Sequence, residues 1–161
     1  MTKVELTWFE VAMAANVGLA RQLAALRAGR PDRHGYHGLG WTEHCEGACG
    51  ELAVAKIMGI YWNGSIDSFK LPDLGGNLQV RTRSGDNYEL IVRLNDANAD
   101  RFILVTGRAP IFTVRGWIAG SAAKRDKWIQ THGNRPAAFF VPQHALEPMS
   151  ALKIAQNHDQ E

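Results

Sequence analysis

The chain has no apolar run of 18 residues, so nothing in it reads as a membrane-spanning helix. Its opening, MTKVELTWFEVAMAANVG, scatters charges among apolar positions and carries no clear cleavage signal, which argues against a secretory leader. Only two cysteines occur in 161 residues, too few for a disulfide scaffold. Cys45 and Cys49 are spaced as on one helical turn and read as reduced thiols, placing the protein in a cytoplasm. A strong excess of one charge is also missing: 18 Lys and Arg against 16 Asp and Glu leave +2. Any affinity for nucleic acid must therefore come from local clustering of cations rather than from the total. No internal repeat and no second-domain signal interrupt the chain.

What is present suits one soluble domain over 1–161, since 45% hydrophobic and 21% charged residues are enough apolar material for a real core. Residues 4–27 read as an amphipathic N-terminal helix, with Trp8, Val11, Ala12, Ala15, Leu19 and Leu23 at helical spacing. A Gly-, His- and Arg-rich linker follows over 28–42. Thr42 is an N-cap candidate for a second helix over 43–58, with Glu43 and Glu46 in its first turn and Gly59 as its stop. From residue 65 the apolar period changes to two. Strands are expected near 66–71, 78–83, 88–93, 102–106 and 111–119, with turns at PDLGGN, SGDN and GRAP. Phe102 to Val105 is apolar on both faces, which predicts a central strand. SAAKRDKWIQTHG (121–133) reads as a helix, AFFVPQ (138–143) as extended, ALEPMSALKIA (145–155) as a short helix, and the last residues as a frayed tail.

Three features carry possible chemistry. Glu51 has Gly47, Ala48, Val54 and Ala55 as helical neighbours. A carboxylate in such a stripe either reaches solvent at the helix edge or meets a cation, a metal or several donors. Asp73, in Pro-Asp-Leu-Gly-Gly, has ordinary turn chemistry when read alone. Gln79, Arg81 and Arg83 alternate with Leu78 and Val80 and so share one strand face, either a solvated outer face or a site joined to Asp73 by a short turn.

Taken together, an acid on a helix, an acid before a hairpin and a polar-x-cation strand resemble the PD-(D/E)XK nuclease superfamily. The resemblance runs over roughly 43–141, through GACGELAVAKIMG, FKLPDLGGNLQVRTRS, RFILVTG, GWIAG and FFVPQ, and is similar to a small phage or prophage group of that superfamily. It implies an α/β fold in an α+β arrangement: a restriction-endonuclease-like core over 43–145, with a mixed, mostly antiparallel sheet flanked by helices, the extra N-terminal helix, and a tail over 146–161. It also implies that Glu51, Asp73 and Gln79 bind Mg²⁺ (or Mn²⁺), with Arg81 in the place of the usual lysine. In such a set the metal activates a water and the cation stabilises charge at phosphorus. Gln79 brings an amide oxygen without charge, and Arg81 clamps phosphate but cannot take a proton.

The expected activity is Mg²⁺-dependent DNA hydrolysis in a bacterial host cytoplasm. The alternatives are an inactive nuclease-fold protein that binds nucleic acid or a host protein as a phage accessory or counter-defence factor, and a small virion or assembly protein. A homodimer is among the expected partners, a membrane is not. Lys70, Arg83, Arg93 and Lys124, joined by Arg115, Arg125, Lys127, Trp117 and Trp128, are the candidate nucleic-acid contacts, against the plain reading as solvated surface. His34, His37, His44, Cys45 and Cys49 fit no zinc spacing, so the cysteines read as core packing. His44, two helical turns before Glu51, is expected to line the same cleft.

Overall fold

The computed structural model describes residues 1–29, 40–66 and 73–152. In chain order the elements are β1 (Thr2–Glu5), α1 (Trp8–Arg27), α2 (Gly40–Met58), β2 (Leu78–Arg83), β3 (Leu90–Arg93), β4 (Arg101–Arg108), β5 (Ile111–Ala119), a short α3 (Gly120–Ala123), β6 (Ile129–Gln130) and β7 (Ala138–Val141). The fold is mixed α/β, with two mostly antiparallel sheets. Strands run β1-β5-β4-β2 in one and β3-β7-β6 in the other. The exception to antiparallel pairing is β2, which lies parallel to β4.

The layers follow from the alternation of β4. Ile103 and Val105 face α1 and α2, and pack with Leu78, Val80, Val114, Ala53 and Val54. Phe102 and Leu104 point the other way, into a second core with Leu90, Val92, Trp128, Phe139 and Val141. Helices, larger sheet and smaller sheet are thus stacked, and β4 has β5 and β2 on its flanks as its two apolar faces predict. Each such side chain contributes about 1.5–3 kcal/mol by leaving water.

Several expectations are corrected. The N-terminal helix does not begin at residue 4. Thr2–Glu5 is a strand paired with β5, and Val4 and Leu6 are buried in alternation with exposed Lys3 and Glu5. The helix starts after Thr7, whose side chain accepts from the Glu10 N–H while the Glu10 carboxylate accepts from the Thr7 N–H, a capping box. Nor does α1 bury the face carrying Trp8, Ala12, Leu19 and Leu23. Those residues are exposed, and the buried positions are Ala14 and Gly18. The reason is the close crossing of α1 over α2: a Cβ on Gly18 would sit 2.5 Å from the His44 carbonyl oxygen and from Cys45 Cα. Only small residues fit there.

The second helix begins at Gly40, so Thr42 lies inside it and is no N-cap. The predicted helix over 121–133 breaks up into α3, a single 3₁₀ turn at Asp126–Trp128, and β6. Ala123 and Trp128 are both drawn into the second core, which a straight helix through Lys124 to Lys127 could not arrange. After β7 comes a 3₁₀ turn at Gln143–Ala145, then Glu147 bridges to Trp117, and an α-helical turn opens at Met149. The expected strand near 66–71 and Lys70 fall largely on residues 67–72, outside the described residues, as do the tail over 153–161 and His34 and His37. Among the described residues no helix is long and apolar enough to cross a membrane.

Candidate functional site

Glu51 sits mid-way along α2 and is buried, so the solvent-reaching alternative fails. Its cost is met by a cation from α1. Arg21 donates from Nη1 to Oε1 at 2.6 Å and from Nη2 to Oε2 at 2.9 Å, and Trp62 Nε1 donates to Oε2 at 3.1 Å. Arg21 is itself fixed by donation from Nε to the Ser65 carbonyl. Burial opposes the Arg21 charge, yet the Glu51 carboxylate more than offsets this and raises its pKa.

Asp73 caps the outer edge of β2: its Oδ2 accepts from the Val80 N–H at 2.7 Å. Burial and the negative charge of Glu51 push its carboxyl up to about 6, while the Val80 N–H, Arg81 and Arg21 hold it down. The two carboxylates therefore feel one another.

Gln79 and Arg81 stand on the opposite face of β2 from Leu78 and Val80. Gln79 Nε2 donates to Asp100 at 3.1 Å, and its amide oxygen has a long 3.5 Å contact with Arg81. Arg81 lies 5.1 Å from the centre of the Phe102 ring and pairs with Asp96 at 3.3 Å. The donor set does not fit Mg²⁺ as arranged. Both Glu51 oxygens are engaged by Arg21, one Asp73 oxygen is engaged by the backbone, and Gln79 is turned to Asp100. Among the described residues no group of three or more His, Cys, Asp or Glu side chains could hold a metal ion. The thiols lean toward packing: Cys45 Sγ donates to the Ala15 carbonyl, and burial pushes Cys49 up to about 12. His44 lies half-buried at the α1–α2 crossing.

The cations divide sharply. Lys124 donates to the carbonyls of Leu94 and Asp96, tying down the loop before β4. Arg115 donates to Thr106 and pairs with Asp86. Trp117 donates to the Pro148 carbonyl, and Arg125 and Lys127 both lie against the Trp128 ring. Arg83 and Arg93, by contrast, converge. They line a cavity of about 480 Å³ with Arg135, His132, Tyr88 and Phe140.

The local sequence explains that convergence. In β3 Leu90 and Val92 are buried, so Ile91 and Arg93 face outward beside Phe140 of β7. Arg83, at the end of β2, donates to the Glu89 carbonyl and lies 4.8 Å from the Tyr88 ring centre. Burial lowers the pKa of both guanidiniums. Arg81 and Arg135 add to this for Arg93 and Arg135 for Arg83, while Tyr88 and Glu89, which also line the cavity, favour the Arg83 charge, and Asp96 and Glu43 favour that of Arg93. Positive charges held partly out of water beside one another are relieved by an anion.

Sequence reasoning missed Arg21, Trp62 and Arg135. Arg21 left a signal: it follows Gly18 by three positions, on the face of α1 that carries the small residues. Arg135, in a loop without periodicity, left none. No family model, curated protein or solved structure matches this chain.

Proposed function

We propose that the protein binds nucleic acid on a nuclease-like core, holding the phosphate backbone in the cavity lined by Arg83, Arg93 and Arg135. The observation that carries this reading is the convergence of these three guanidiniums with Tyr88, His132 and Phe140 in one concave site. Guanidiniums grip phosphate oxygens in pairs, and aromatic faces accept bases without demanding a sequence. The restriction-endonuclease-like core in this proposal rests on α2 packed against the Leu78 and Val80 face of the larger sheet, with Asp73 at the edge of β2, while Gln79 and Arg81 stand on the opposite face. The test is anisotropy of a labelled DNA oligonucleotide in EDTA. Arg93→Glu should weaken binding at every sequence; unchanged binding removes the proposal.

A second reading, Mg²⁺-dependent hydrolysis of DNA, is favoured by one observation: Asp73, raised to about 6, lies within electrostatic reach of Glu51 and Arg81. Two carboxylates that repel each other gain from a shared cation. Here Arg21 already supplies that cation to Glu51, so a metal would have to displace it. Plasmid nicking with Mg²⁺ or Mn²⁺, absent in EDTA and lost in Asp73→Ala, supports hydrolysis. Nicking that survives in Asp73→Ala removes the metal site.

A further inference from the structure

Helix α1 is inside out. Between Trp8 and Leu26 it holds two charged residues, Glu10 and Arg21. Both are spent within the molecule, Glu10 on Lys56 and the Thr7 N–H, Arg21 on Glu51 and the Ser65 carbonyl. The outer face is apolar instead. Trp8 is 71% exposed, Phe9 90%, Met13 51%, Leu19 41%, Leu23 48% and Leu26 56%. The two rings alone leave on the order of 300 Å² of aromatic surface in water. Monomers rarely expose a patch much larger than a few hundred Å².

The positions along this face are not scattered. Phe9, Ala12, Asn16, Leu19, Leu23 and Leu26 are all exposed and are separated by alternating steps of three and four. That is the repeat by which one helix inserts its side chains between those of another. It reads the same from either end, so an identical helix presents a matching set. Asn16 is the one polar residue in the seam, and its Nδ2 donates to the Ala12 carbonyl at 2.8 Å. A single buried Asn at such a position sets register and partner number at a cost in stability. A lipid surface is disfavoured, because interfacial helices line their polar face with Lys and Arg, whereas the exposed cation of α1 is Arg27 alone, at its last residue.

We infer that the outer face of α1 is a self-association seam, covered in solution by α1 of a second copy of this chain. The contact is independent of whether the arginine-lined cavity binds nucleic acid.

Sedimentation equilibrium of the full chain, taken from low to tens of micromolar, is the test. The expected result is twice the monomer mass at the upper end. The double variant Leu19→Glu, Leu23→Glu should be monomeric with an unchanged far-UV spectrum. Asn16→Leu should shift dissociation to lower concentration, an effect that a solvated surface residue would not have. A monomer throughout overturns the inference, as does a dimer that survives the double variant. A monomer that floats with neutral lipid vesicles overturns it too, by giving the face a different occupant.

Discussion

Arg21 is the counter-charge of Glu51 in the core, and its removal is the sharpest structural perturbation. The two side chains keep only 16% and 7% of their surface, with both guanidinium–carboxylate contacts under 3 Å. Arg21→Met leaves the carboxylate with the Trp62 N–H alone. Breaking a buried pair from one side costs about 3–5 kcal/mol, against about 0–1 for an exposed pair. For a chain of this length that lowers Tm by on the order of 10 °C. The loss depends on pH. A carboxylate buried without a cation favours its neutral form, so the native state of this variant would bind a proton the unfolded chain does not. The deficit of Arg21→Met is therefore largest above neutrality and shrinks in acid. The double variant Arg21→Met, Glu51→Met should recover most of the loss, since apolar replacement of a whole buried pair is often neutral. Urea denaturation across pH measures all three. A deficit for Arg21→Met below about 1 kcal/mol, or a double variant no better than the single, would refute the pairing as Glu51's source of stability.

Asp73, raised from 3.8 to about 6 by burial and Glu51, has the opposite linkage from a salt-bridged carboxylate. Its ionised form is disfavoured in the native state, so it lowers stability as pH rises from about 4 to 6 and the penalty persists above that window. Asp73→Asn, which keeps an oxygen for the Val80 N–H, should gain stability over wild type at neutral pH and lose that gain near pH 4; thermal melts at the two pH values check it. Among the described residues, Thr82 Oγ1 is buried without a partner where Gly50 of α2 presses against it. Thr82→Val removes that orphan hydroxyl and should raise stability by about 1 kcal/mol, read as an upward shift in urea midpoint.

Where burial alone decides the outcome, the fold was legible in the residues. The doubly apolar Phe102–Val105 run makes β4 a strand with neighbours on both sides, whereas the apolar neighbours of Glu51 left burial with a counter-charge and a reach to solvent both open until the packing decided for the core. The identity of that counter-charge was not legible, because it depended on which face of α1 turns inward. Hydrophobicity favoured the face with Trp8, Leu19 and Leu23; backbone proximity at Gly18 selected the opposite one and brought Arg21 with it. The first strand hid in the same way. Val4 and Leu6 alternate with Lys3 and Glu5, but the apolar helix behind them absorbed the pattern. In 121–133, helix propensity lost to the tertiary anchors Ala123 and Trp128. Arg83 and Arg93 were legible as outward-facing cations, whereas their meeting with Arg135 depends on β3 joining β7 in the second sheet.

The salt dependence of DNA binding tests the proposed role of that cavity most directly. In EDTA, wild-type affinity should fall steeply with NaCl, and Arg83→Ala and Arg93→Ala should each reduce the slope of log K against log salt by about one. Wild-type binding that is absent, or slopes that stay the same in both variants, would contradict a phosphate grip by these arginines.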